Sequence, residues 1–152
     1  MLSVTDEYHK RYDEETKDLF YQRVLFILLV GIILIPLFSI LDFVVSREFF
    51  KLFLIYRLGC SGLLLLAYFV YLTKIGREYA YLLAIIAYVV SGFTISMLCV
   101  HMGGYDSFYY VGTIMVLVTF TAILPLNALQ AGVSGILLYG IYAGPIILLS
   151  EP

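Results

Sequence analysis

Five apolar runs separated by short polar breaks make up most of the chain, and a segment of mixed charge precedes them. Residues 5–23 (TDEYHKRYDEETKDLFYQR) are rich in helix formers, set Glu7/Arg11 and Asp13/Lys17 four apart, and bring Tyr8, Tyr12 and Leu19 to one side. That pattern predicts an amphipathic helix within residues 1–23, lying on a membrane surface or against a partner. A solvated charged lead-in is the alternative. Val24 to Leu41 is unbroken apolar sequence, about 27 Å long as a helix, which nearly spans a hydrocarbon core. Pro36 inside it predicts a kink, because proline removes one backbone hydrogen bond and crowds the preceding turn. The predicted spans are residues 24–43, 52–72, 79–100, 108–124 and 129–149. Between them lie an aromatic-bearing connection at 44–51, a tight charged turn at 74–78, and Pro125-Leu126-Asn127. The fold class is all-α: a polytopic transmembrane bundle over residues 24–152, preceded by the lead-in.

Composition agrees with the pattern. With 62% hydrophobic residues, 13% charged residues and a mean hydropathy of +1.00, the chain falls outside the soluble range. Net charge is −2, but the charges crowd into residues 6–23, so neither a basic nor an acidic surface is indicated, and nucleic acid is not an expected partner. The lead-in separates the start from the first apolar run, which argues against a secretory signal. With the N-terminus in the cytoplasm, Lys10, Arg11, Lys17, Arg23, Lys74 and Arg77 lie inside against Arg47 and Lys51 outside. The positive-inside rule therefore predicts a cytoplasmic N-terminus and an external 102–107 turn.

Small residues mark expected helix contacts. Ala80, Ala84, Ala87 and Ser91 form a stripe on the third span that lets another backbone approach closely. Gly140 and Gly144 make a GxxxG on the fifth, which serves either a homodimer or, the preferred reading, packing within the bundle. Cys60 and Cys99 lie inside apolar runs with no metal spacing and are expected to be packing residues.

Candidate chemistry centres on His101-Met-Gly-Gly-Tyr-Asp-Ser-Phe-Tyr-Tyr-Val-Gly112, where small, charged and aromatic residues converge. Asp42 and Arg57 lie near span ends on the same side. Ionisable residues at such depth face the bundle interior and pair, so an Asp42–Arg57 ion pair is expected. It either fixes the first hairpin or belongs to a ligand site of Asp42, Arg57, His101, Tyr105, Asp106, Tyr109 and Tyr110. In the second case Arg57 holds an acidic or carbonyl head group and the tyrosines wall the apolar part. His101 reads as a hydrogen-bonded helix-end residue; the other histidine, His9, falls across the membrane, so no metal or haem is expected. No nucleotide loop and no activated nucleophile is present, so no catalysis and no cofactor are expected of this chain.

Asp42 and Arg57 across DFVVSREFFKLFLIYRL, followed by GGYDSFYYVG, resemble the six-helix membrane sensor domain that precedes the transmitter of certain bacterial histidine kinases and nucleotide cyclases, some quorum-sensing kinases among them. The resemblance covers residues 24–150. The family carries prolines where this chain has Arg47 and Phe108. What the resemblance implies is a multi-pass module of the bacterial inner membrane that receives a small amphiphilic or membrane-derived signal. It would pass that signal through a sixth helix to a downstream cytoplasmic transmitter domain, and the sequence stops before that helix. The rival readings are a small transporter subunit and a passive anchor or dimerisation module.

Overall fold

The structure is a computed structural model that describes residues 4–149, with side chains from Arg11 onward except Asp13. The predicted pairs Glu7/Arg11 and Asp13/Lys17, and the side chains of Tyr8 and His9, lie outside the described residues. The chain forms α1 (Val4–Leu37), α2 (Ser39–Val45), α3 (Phe50–Tyr71), α4 (Lys74–Glu78), α5 (Ala80–His101), α6 (Tyr110–Ile123) and α7 (Ala128–Leu149), with a 3-10 turn at Gly104–Asp106. There is no strand among the described residues.

Four helical segments are long and apolar enough to cross a membrane: Glu14–Val45, Phe50–Tyr71, Ala80–His101 and Ala128–Leu149. This is the pattern of a membrane protein. The expected fourth span is shorter than predicted. Its helix has 14 residues, about 21 Å against a core of about 30 Å. Two local causes shorten it: Phe108 and Tyr109 at its start still belong to the turn that follows Ser107, and Leu124 is forced extended by Pro125 after it.

The lead-in is not a separate surface helix. It runs into the first span as one helix of 34 residues, because no glycine or proline stands between Val4 and Val30 to end it. Tyr12 and Leu19 are exposed, and the face that packs is Phe20, Tyr21, Val24 and Leu28 instead. The break comes two residues past Pro36: α1 ends at Leu37 and α2 begins at Ser39. The 74–78 segment closes into a short helix whose N-cap, Thr73, accepts a hydrogen bond from the Gly76 amide at 3.3 Å.

α5 is the central helix and touches α1, α3, α6 and α7. Its contact with α7 is close because Gly92 has no side chain: a Cβ there would meet Leu138 Cδ1 at 2.4 Å. On either side of that approach, Tyr88 donates to the Ser134 carbonyl at 3.1 Å and Ser96 to the Tyr142 carbonyl at 2.8 Å. Hydroxyls bonded across helices and small residues at the seam are how bundles associate in lipid, where apolar burial gives little drive. Ala84 and Ala87 of the predicted stripe are buried; Ala80 and Ser91 are half-buried. The GxxxG of α7 takes no part in the bundle, since a Cβ at Gly140 or Gly144 would meet nothing within 4 Å. Those glycines sit off the face that α7 turns to α5, and the expectation of internal packing is corrected accordingly.

Candidate functional site

The two ends of the bundle differ. We call upper the end holding Ser46 and the 102–109 turn, joined by Ser46 Oγ donating to Met102 Sδ at 3.3 Å. The lower end holds Arg23, residues 73–79 and the end of α6.

The upper site grows out of the proline break. Pro36 has no N–H, so the Ile32 carbonyl four residues back loses its helical donor. Ser61 of α3 supplies one, its Oγ donating to Ile32 O at 3.0 Å. One turn further up α3, Arg57 Nη1 reaches the Ile35 carbonyl at 3.5 Å, and its guanidinium lies 5.7 Å from the centroid of Phe38, the residue at the break. The other edge of the guanidinium grips Asp42 of α2 side-on: Nε bonds Oδ2 and Nη2 bonds Oδ1 at 2.9 Å. Arg57 therefore holds both sides of the break. Asp42 is fully buried and Arg57 nearly so, a depth at which an ion pair is tolerable only when well formed and further hydrogen-bonded.

A third group completes it. Tyr109 Oη donates to Asp42 Oδ1 at 2.7 Å, so the start of α6 is tied to α2 and α3 through one carboxylate. Gly103 and Gly104 turn the chain with φ of +94° and +65°, values that glycine reaches without cost. Ser107 then tightens the turn ahead of α6, its Oγ accepting from the Tyr109 amide at 3.2 Å. The expected Asp42–Arg57 pair is present, with Tyr109 bonded to it.

The remaining predicted residues fall into other places. His101 Nδ1–H donates to the Met97 carbonyl at 2.8 Å, as a helix-end histidine does. Its ring lies among Phe49, Phe53 and Tyr56 at 6.3, 6.4 and 5.9 Å between centroids. It reaches the ion pair only indirectly, through Phe53, whose ring meets Tyr109 edge-on at 5.6 Å. Asp106 is exposed. Tyr105 packs edge-on against Tyr142 at 6.1 Å, and Tyr110 lines a groove of about 210 Å³ between α6 and α7. The predicted single constellation thus separates: Asp42 and Arg57 are buried and bonded with the half-buried Tyr109, Tyr105 and Tyr110 stand at a groove that Arg57 does not enter, and His101 and Asp106 belong to neither group. No cluster of three or more His, Cys, Asp or Glu side chains gathers among the described residues.

Sequence reading missed Ser61, Ser96 and Ser107, all buried and all bonded to backbone. Ser61 had a usable signal, since a proline within a membrane helix frees a carbonyl that a neighbouring hydroxyl can satisfy. No family model matches the chain, and no curated protein or solved structure matches it either.

Proposed function

We propose that this chain is the membrane-embedded sensory input module of a bacterial signal-transduction protein, of the kind that precedes a histidine kinase or nucleotide cyclase domain. In this reading all five apolar helices cross the inner membrane, with the short α6 completed in depth by its flanking turns. The lead-in and residues 74–78 face the cytoplasm and the 102–109 turn faces out, an orientation that the lysine and arginine count supports.

The observation that carries the reading is Arg57 bridging the two sides of the proline break while Tyr109 ties the same carboxylate to the far turn. A passive anchor has no use for a desolvated ion pair, because apolar packing and hydroxyl–carbonyl bonds hold helices at lower cost. Placed at a break, the pair makes movement of α2 against α1 a matter of remaking buried charge contacts. That favours two discrete arrangements over a continuum. A small amphiphilic signal then acts through unequal affinity for the two, and the helices transmit the bias. Arg57 serves as the lock rather than as the holder of a head group, since Asp42 occupies its bonding edge. A transporter subunit is the weaker reading: transporters place polar groups at mid-depth between repeated halves, whereas these charges gather at one end.

The test is the dose–response of the native protein that carries this chain. Arg57→Ala and Tyr109→Phe are expected to shift the half-response dose by about threefold or more, and Tyr12→Ala, on the exposed lead-in, to leave it unchanged. Site variants present in the membrane at normal amount with an unaltered dose curve would leave the anchor reading standing.

A further inference from the structure

The groove between α6 and α7 is graded in polarity along its length. At the upper end stand Tyr110 and Tyr142, with Tyr105 packed against Tyr142 beside them. Thr113 and Tyr139 come next, and the lower part is Ile114, Leu117, Leu138 and the bare backbone of Gly135. No charged side chain lines it. Leu117 Cδ1 lies 4.0 Å from where a Gly135 Cβ would be, so the missing side chain opens the lower part. Beside it runs α6, whose 14 residues cover about two-thirds of the depth of a hydrocarbon core.

We infer that this groove binds one acyl chain of a bilayer lipid from the leaflet at the upper end, with the ester carbonyls of that lipid at the level of the upper tyrosines. A charged ligand head has no partner here. The volume of about 210 Å³ admits a single chain segment, and the gradient from hydroxyl donors to aliphatic wall matches the order of groups along a lipid from ester to tail. A second copy of α7 fits less well, because the exposed Gly140 that would draw it is outside the groove lining. The inference rests on the chain lying in a membrane and not on the sensory reading.

The purified chain in phosphatidylcholine nanodiscs, doped with phosphatidylcholine bearing a photoreactive diazirine on one acyl chain, tests this without any signalling output. After irradiation, adducts mapped by mass spectrometry are expected at Ile114 and Leu117 about threefold or more above Ile55 and Leu66, which are exposed on α3. Gly135→Leu, which fills the lower groove, is expected to bring the ratio back to that of α3. The ratio in the unaltered chain decides the matter even if a variant folds poorly. Equal labelling of both faces would mean an ordinary lipid shell, and cross-links between α7 helices of two chains in place of lipid adducts would mean a second copy fills the groove. Either result overturns the inference.

Discussion

The upper and lower ends of the bundle use polar side chains in different ways. At the upper end, Asp42 of α2, Arg57 of α3 and Tyr109 just before α6 turn toward the interior and satisfy one another. At the lower end, α1 sends two side chains onto the terminal carbonyls of other helices. Tyr21 Oη donates to Tyr71 O at 2.8 Å at the end of α3, and Arg23 Nη1 donates to Ile123 O at 2.8 Å at the end of α6. These carbonyls have no donor of their own within the helix. The lower end thus answers a need that every helix terminus has, whereas the upper end creates a need of its own by burying charge. Burial decides how much each contact is worth.

The largest effect is therefore expected at the ion pair. Asp42→Asn or Arg57→Gln alone strands the partner in a low-dielectric interior and is expected to cost about 3–5 kcal/mol. The double variant removes both charges and should cost less than the sum of the two single changes. Unfolding of the four proteins in bicelles, taken as a double-mutant cycle, checks this. Strictly additive losses would mean that the charges are screened independently, and the contrast between the ends would dissolve.

A smaller effect is expected at Arg23, which is half-buried and holds a neutral carbonyl rather than a carboxylate. A cation on a helix C-terminus adds to the hydrogen bond, so Arg23→Met is expected to cost about 1–2 kcal/mol in the same unfolding assay. Arg23→Lys should recover part of that through charge alone. A loss as large as that of Arg57→Gln would show that the lower end is as dry as the upper.

The same contrast explains what could be read from the sequence. The helices were legible because runs of about twenty apolar residues carry their own boundaries, and Asp42 and Arg57 stood out as charges next to or within such runs. Their pairing was legible too, because it follows from depth alone. The direction of neighbouring side chains was not. Tyr109 and Tyr110 are adjacent in sequence but differ by about 100° around the helix, so one reaches the carboxylate and the other the groove. The seam of α5 with α7 turns on Gly92 rather than on the Gly140–Gly144 motif, because a motif does not record which face a helix turns inward. The lead-in departs from the separate helix expected of it for a related reason: mixed charge says where a helix meets water but not where it ends, and nothing in residues 4–30 stops it.

The smallest effect belongs to the other ion pair of the described residues, Arg77 Nη2 with Asp18 Oδ1 at 3.8 Å. Both side chains are about 70% exposed (68% and 70%), so water and salt screen the attraction and each side chain loses rotamer freedom in forming it. Asp18→Asn is expected to change stability by less than about 0.5 kcal/mol, with no response to added salt beyond that of the parent. Arg77 has a second contact, its guanidinium 5.2 Å from the centroid of the Tyr21 ring, which in turn stacks on Tyr71 at 4.8 Å. Arg77→Ala is therefore expected to cost more than Asp18→Asn, by about 0.5–1 kcal/mol, and the excess should persist in the Asp18→Asn background because it does not pass through the carboxylate. Should Asp18→Asn instead approach the cost of Asp42→Asn, exposure would not be what separates the two pairs. The lock at the upper end would then lose its claim to be the one place among the described residues where moving a helix requires moving buried charge.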